Sequence, residues 1–232
     1  MIRHPAMSTS ERPAIRAVFF DVGGVLVDSP FAAFQDYEAS AGLPPGALRA
    51  LNQRDPDRNA WACAERGEID REEFFARFEA EARGLGYTVD ARALFARMSV
   101  AVRPAMVELL GRLRGRYILA CLTNNMRVGY GPVMSSSPER AAAIQAMFAL
   151  VDHVIESCQI GVRKPEPAFY RIACERAGVA PHEAVFLDDL GINLKPARAL
   201  GMHTIKVDEP GPAIAALEAL LAETERSQEG SA

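Results

Sequence analysis

Ala17-Val-Phe-Phe-Asp-Val-Gly-Gly-Val-Leu-Val27 is a short apolar run that ends in one acid, Asp21, and then breaks into two glycines. Its first part has the length and composition of a buried strand. A carboxylate at the end of a buried parallel strand stands where ligands bind in open α/β sheets. The glycine pair lets the backbone turn sharply and approach a bound group closely. An acid after a strand is also a common turn former, so Asp21 takes its meaning from the rest of the chain.

Three later segments repeat the arrangement of an apolar strand followed by polar chemistry. Thr123 and Asn124 follow the strand expected over Tyr117 to Leu122. They can cap a turn, or hold phosphate oxygens through a hydroxyl and a backbone N–H. Lys164 lies in Arg163-Lys-Pro-Glu-Pro167, where two prolines restrict the loop. A lysine held there can neutralise crowded negative charge. Asp188 and Asp189 close the apolar run Val185-Phe-Leu187. Adjacent acids at a buried strand end repel each other and need a cation or basic partners. Oxygen-only ligands point to Mg²⁺, which binds through one or two carboxylates, water and substrate phosphate.

Around these segments the pattern alternates. Strands are expected at Ile15 to Phe20, Tyr117 to Leu122, His153 to Ile155, Ala184 to Leu187 and Thr204 to Val207. Helices are expected over Ala141 to Leu150, Ala168 to Ala177, Asn193 to Leu200 and Pro212 to Ala222, beside a stripe of Met106, Leu109, Leu110 and Leu113. Strands alternating with helices predict a parallel sheet with right-handed crossovers. Residues 30–100 read as helical throughout: Phe31, Phe34 and Tyr37 share a face, Pro45 suits a helix start, and Asp70 with Glu73 reads as an N-cap. The fold class is therefore α/β, a Rossmann-like parallel sheet core over 14–29 and 101–226 with an inserted all-helical cap over 30–100, after a disordered tail over 1–13.

The chain has 232 residues, 49% of them apolar, and a formal net charge of -4. That is enough for a sizeable core, and no basic stripe suggests nucleic acid. Cys63, Cys121, Cys158 and Cys174 form no Cys-x-x-Cys pair, which argues against zinc or dithiol chemistry. Scattered cysteines suit a reducing cytoplasm. No stretch is long enough to span a bilayer, and the N-terminal residues do not have the pattern of a signal peptide.

Taken as an ordered set, these motifs resemble the haloacid-dehalogenase-like hydrolase superfamily, and most closely the phosphatase domain at the N-terminus of soluble epoxide hydrolase and similar bacterial proteins. The stretches Val154 to Pro167 and Val185 to Arg198 carry the closer likeness. No segment resembles an α/β-hydrolase domain, so the likeness does not extend to epoxide hydrolysis. The resemblance implies that Asp21 attacks phosphorus to form an aspartyl-phosphate. It implies that Asp21, Asp189 and the backbone carbonyl of Gly23 hold Mg²⁺, with Asp188 and Asn193 behind them. Thr123, the N–H of Asn124 and Lys164 would hold the phosphoryl group, and the helical block would close over the site and select a small-molecule phosphate ester.

The chain departs from the family pattern at Gly23. Phosphatases of this superfamily usually have an Asp there, which protonates the leaving oxygen and then activates water. Losing general acid–base help costs on the order of 10²–10⁴-fold in rate. A slow phosphatase, or one limited to good leaving groups, is thus the expectation. Haloacid dehalogenation and a catalytically silent metal- and phosphate-binding protein stand as alternatives. Asp28 or a cap residue could supply the missing proton, and Trp61, Arg54 and Arg58 could join a substrate pocket.

Overall fold

The computed structural model describes residues 14–29, 31–98, 101–127 and 137–229. The expected tail and most of the loop between Met126 and Ser137 lie outside the described residues. The strands are β1 (Ala17–Phe20), β2 (Ile118–Thr123), β3 (His153–Glu156), β4 (Ala184–Asp188) and β5 (His203–Lys206). The helices are α1 (Phe31–Ala41), α2 (Ala47–Gln53), α3 (Ala60–Glu65), α4 (Arg71–Gly84), α5 (Ala91–Arg97), α6 (Pro104–Leu113), α7 (Pro138–Phe148), α8 (Ser157–Ile160), α9 (Pro167–Ala177), α10 (Gly191–Ala199) and α11 (Pro210–Glu229).

All strand pairs are parallel, in the order β3-β2-β1-β4-β5. The central β1 is wholly buried. A strand covered on both faces must be apolar throughout, which is why Ala17 to Phe20 shows no polar alternation. Successive side chains still go to opposite faces. Val18, Phe20, Leu119, Cys121, Val185 and Leu187 meet α6, α7 and α11 through Met106, Leu110, Ile144 and Leu217. Ala17, Phe19, Ala120, Leu122 and Phe186 meet α9 and α10 through Phe169, Tyr170, Leu194 and Ala197.

Helices α1 to α5 form a separate layer with its own apolar interior, consistent with the expected cap. Trp61, itself partly buried, packs on this interior with ring centroids of Phe34, Phe95, Phe74 and Phe78 at 5.5, 5.9, 6.0 and 6.2 Å. Asp70 caps α4 by accepting from the Glu73 N–H at 2.9 Å, and Asp90 caps α5 in the same way through Ala93 at 2.9 Å. The two chain crossings between sheet and cap lie side by side. Asp28 N–H donates to the Ala101 carbonyl and Arg103 N–H to that of Leu26, both at 2.9 Å.

Several boundaries differ from the sequence expectation, each for a tertiary reason. Helix α2 starts at Ala47, not at Pro45. Gly46 is in the left-handed region with φ 82°, and the Glu38 carboxylate accepts from Gly46 N and Leu48 N at 2.8 Å each. Helix α7 starts earlier, at Pro138, where Ser137 caps it. Helix α10 starts at Gly191, because the preceding turn is already held by Leu190 N donating to Asp188 Oδ1 at 2.7 Å. The polar residues after Ala222 stay helical, with Glu225 tied to Arg116 at 3.0 Å and to the Tyr117 hydroxyl at 2.8 Å. The short α8 is absent from the sequence reading. Ser157 holds it against β2, its Oγ accepting from Asn125 N at 3.0 Å and donating to Asn125 O at 3.2 Å.

Candidate active site

Strand register brings the chemistry together. Phe20 pairs with Cys121 on one side and Leu187 on the other. Asp21 therefore stands level with Leu122 and Asp188, with Thr123 one residue further out. The chain runs outward from β1 through β2 to β3, then returns to the other side of β1 for β4 and β5. Loops that leave neighbouring strands in opposite directions open a crevice at their C-terminal ends.

Lys164 enters this crevice from the loop before α9 and is only 1% exposed. Its Nζ lies 2.7 Å from Asp21 Oδ1 and 2.8 Å from Asp188 Oδ2, and 5.4 Å from the Phe186 ring centroid. Burial alone pushes Lys164 down, but the carboxylates of Asp188 and Asp21 more than reverse this and leave it raised. The ammonium form is thus held. Burial pushes the Asp21 carboxyl well above its ordinary value, and Lys164 opposes that rise.

The two acids of the Asp188-Asp189 pair are not equivalent. Asp188 is fully buried, and both of its oxygens are engaged. Oδ1 accepts from Leu190 N at 2.7 Å and Asn193 Nδ2 at 3.1 Å. Oδ2 accepts from Lys164 at 2.8 Å and Asn193 Nδ2 at 3.0 Å. Asn193 is itself fixed, its carbonyl accepting from the Tyr170 hydroxyl at 2.7 Å. Asp189 is partly exposed, and no side chain among the described residues donates to it. Burial and then the neighbouring Asp188 charge push its carboxyl up to about 6.

A divalent cation fits these residues. Asp21, Asp188 and Asp189 each offer a carboxylate oxygen, all within 4.8 Å of one another. Against these charges the described structure sets Lys164 alone within salt-bridge distance, which leaves the cluster negative. Gly24 makes the close approach possible. Its φ is +79°, and a Cβ there would lie 2.3 Å from Asp189 Oδ2. Gly24 thus seats the second acid of the pair against the turn that follows Asp21.

Thr123 is the buried last residue of β2. Asn124 follows, but its side chain faces the lysine loop. Its Oδ1 accepts from Lys164 N at 2.8 Å, and its Nδ2 donates to Lys164 O at 2.9 Å and to Glu65 Oε2 at 3.3 Å. Gly23 lies in the turn with no side chain to offer. Asp28 is half exposed and lies 3.6 Å from Arg103 Nε. Trp61 packs against the cap interior, and Arg54 and Arg58 line a cavity within the cap of about 280 Å³.

Sequence reasoning missed Glu65 and Arg163. Glu65 is a buried acid of α3 whose Oε2 accepts from Arg163 Nε at 2.5 Å. An acid at the end of Ala60-Trp-Ala-Cys-Ala-Glu65 was the available signal, but nothing local to it names a partner from β-sheet loops. Tyr170, which orients Asn193, was likewise readable only as a core aromatic.

The family model for haloacid dehalogenase-like hydrolases matches residues 15–201. The chain is 36% identical over 212 residues to acyl-CoA dehydrogenase family member 10 of Mus musculus, covering 89% of this chain and 19% of that protein. It is 30% identical over 220 residues to bifunctional epoxide hydrolase 2 of Sus scrofa, covering 88% and 38% respectively. The chain therefore spans well under half the length of both relatives. A Bacteroides thetaiotaomicron HAD family enzyme, solved with magnesium and inorganic phosphate, superposes with a TM-score of 0.59 at 21% identity, over 85% of this chain and 96% of that one. The family match takes in β1, the lysine loop and the paired acids together, and the chain belongs to the haloacid dehalogenase-like hydrolases.

Proposed function

We propose that this hydrolase is a Mg²⁺-dependent phosphomonoesterase that works through an aspartyl-phosphate on Asp21. The observation that carries the reading is the cluster itself: three carboxylates within 4.8 Å, with one buried ammonium bridging two of them at 2.7 and 2.8 Å. A site so rich in negative charge suits a divalent cation, which a phosphoryl group needs to approach the carboxylates and haloacid dehalogenation does not use. The structural relative holding magnesium and inorganic phosphate supports the same ligands.

In this reading Asp21, Asp189 and the Gly23 carbonyl hold the cation, which when bound screens the phosphate charge. Asp21 Oδ1 already accepts from Lys164 at 2.7 Å and Val22 N at 2.6 Å, so Oδ2 is the attacking oxygen. The bond from Asp21 to phosphorus forms as the ester P–O bond breaks, and water then cleaves the acyl phosphate to release inorganic phosphate. Lys164 stabilises the charge that builds on the phosphoryl oxygens. Thr123 Oγ1 and the Asn124 N–H receive those oxygens. The Asn124 side chain is occupied with Lys164, so its contribution falls to the main chain. Asp188 holds Lys164, and Asn193 holds Asp188, rather than the substrate. The substrate is a small-molecule phosphate ester, and the four unpaired cysteines support a reducing, cytoplasmic setting.

Gly23 shapes the kinetics. With no acid there, the leaving oxygen departs with little proton help, so rates depend steeply on leaving-group acidity. The test is a series of phosphomonoesters of graded leaving-group pKa, with Mg²⁺, on the wild type and Gly23→Asp. Aryl and acyl phosphates should far outpace alkyl phosphates, and Gly23→Asp should flatten the series. An equally shallow dependence in both proteins would assign the proton to another group. Failure on every ester would favour the silent binding protein, and turnover of 2-haloacids without metal the dehalogenase.

A further inference from the structure

Glu65 carries a contact that neither the catalytic cluster nor the cap interior accounts for. It lies on α3 of the cap and is 7% exposed. A buried carboxylate is costly unless its oxygens are partnered. Glu65 takes one partner from its own cap and two from the sheet domain. Trp61 Nε1 donates to Oε1 at 2.9 Å. Arg163 Nε donates to Oε2 at 2.5 Å, and Asn124 Nδ2 reaches the same oxygen at 3.3 Å.

Both sheet-domain partners are wired to Lys164. Arg163 precedes it in the chain, and Asn124 brackets it, with hydrogen bonds to its N–H at 2.8 Å and its carbonyl at 2.9 Å. Arg163 is tied to the cap a second time, Nη1 donating to the Pro56 carbonyl at 2.9 Å. The surfaces are in close contact nearby as well. A Cβ on Gly67, just past α3, would lie 2.4 Å from the Cys158 carbonyl of α8. One apolar side chain crosses as well, Met126 just past β2, which packs into the cap interior, while the two sheet cores form clusters of their own.

The geometry points to Glu65 as a positioning residue: its carboxylate latches the cap onto the lysine loop and sets Lys164 against Asp21 when the cap is closed. This rests on the phosphatase reading for its kinetic consequence, not for its geometry. When the cap moves away, Arg163 and Asn124 lose a shared acceptor, and the loop that carries Lys164 loses its ties from outside the sheet. A catalytic group displaced by about 1 Å can cost on the order of 10²-fold in rate. The coupling also runs in reverse. A phosphoryl group that settles Lys164 and Asn124 should tighten the hold on Glu65, and so alter the surroundings of Trp61.

Trp61 is the only tryptophan of the chain and hydrogen-bonds Glu65 directly, so its fluorescence reads the latch. The experiment uses the full chain as wild type, Glu65→Ala, Glu65→Gln, Arg163→Met and the Glu65→Ala/Arg163→Met pair. The readouts are kcat and KM on an activated aryl phosphate with Mg²⁺, and Trp61 emission on titration with inorganic phosphate and Mg²⁺. Glu65→Ala and Arg163→Met should each lower kcat by ~10–100-fold with KM little changed. Glu65→Gln, which keeps one carbonyl acceptor for the sheet-side donors at the cost of the bond from Trp61, should recover part of the loss. The double variant should be no worse than either single one, since both remove one interaction. Phosphate should shift Trp61 emission in the wild type and much less in Arg163→Met, a variant on the sheet side that keeps the comparison usable should Glu65→Ala not fold. Additive losses, a kcat equal to wild type, or no phosphate response of Trp61 in the wild type would each overturn the latch. A wild type that cleaves no ester while phosphate still moves Trp61 refutes the phosphatase reading and leaves the latch standing. Esters cleaved equally well by all variants do the opposite.

Discussion

The rim of the sheet and the interior of the cap are both shielded from water, yet they are built in opposite ways. At the rim, Lys164, Asp188, Asn193 and Asp21 are buried and held by short charged hydrogen bonds. In the cap, Trp61 and four phenylalanines hold each other by ring contacts. The first arrangement is expensive: burial raises Asp21, and Asp188 adds to it. The second is the ordinary gain from removing apolar area from water. Charge at the rim is thus held against the cost of burial, and the cap supplies a stable apolar body beside it. The two regions touch through a few polar ties and one buried apolar side chain, Met126, rather than through an extended common core.

This contrast makes the largest expected effect a loss of turnover without a loss of fold. Asp21→Asn should reduce turnover by on the order of 10⁴-fold or more, while thermal unfolding shifts by only a few degrees. An amide cannot replace the attacking oxygen, but it removes one of three crowded acids. Retained turnover on an aryl phosphate would remove Asp21 from its role. A large drop in melting temperature would mean that the rim charges hold the fold after all.

The cap should answer in the other way. Phe74 is fully buried and contacts the rings of Trp61, Phe75, Phe78 and Phe95. Phe74→Ala should cost ~3–5 kcal/mol, read as an earlier denaturant transition in Trp61 fluorescence. If the cap is a body of its own, the far-ultraviolet transition of the sheet domain should move less. Coincident, equally shifted transitions would show one cooperative unit.

Between these lies the glycine turn, which serves the rim by sterics alone. Gly24→Ala places a Cβ 2.3 Å from Asp189 Oδ2 at a φ of +79°. It should weaken Mg²⁺ affinity by ~10–100-fold, as displaced supports of metal ligands do, measured by calorimetric titration. Unchanged affinity would show that Asp189 does not hold the cation.

The smallest effect belongs to a neutral group far from both regions. Burial first, and then Glu225, push the Tyr117 hydroxyl up to about 12. Its ordinary value is about 10. A raised folded value favours the protonated form, so the stabilisation is whole below pH ~10 and is lost as pH rises towards ~12. Wild-type stability measured over that range should fall more steeply than that of Tyr117→Phe. Parallel curves would mean that the hydroxyl stays as free to ionise as in the unfolded chain.

Much of the rim was legible because each piece is local. Asp21, Thr123, Lys164 and the Asp188-Asp189 pair each follow or precede a recognisable element within a few residues, and strand pairing does the rest. The cap was legible as a helical block with Asp70 as an N-cap, because capping acts over three residues. What links the two was not. Glu65 and Arg163 are 98 positions apart, and no periodicity or cap rule relates them. The same holds for the end of α11, expected to stop at Ala222 but carried on to Glu229, where Glu225 finds Arg116 and Tyr117.

By itself, then, the amino-acid sequence determined which strands are covered on both faces, where the turns fall, and which acids and lysine stand at strand ends. These depend on apolar period, chain stiffness and residues a few positions apart. Only the tertiary structure decided that Asp188 is spent on Lys164 and Asn193 while Asp189 has no side-chain donor among the described residues. It also decided that Asn124 serves the lysine loop with its side chain, and that the cap meets that loop through Glu65. Two adjacent acids are chemically identical until burial and hydrogen-bond partners from distant segments separate them. A carboxylate's role is set by the donors around it, and those donors arrive only when the chain has folded.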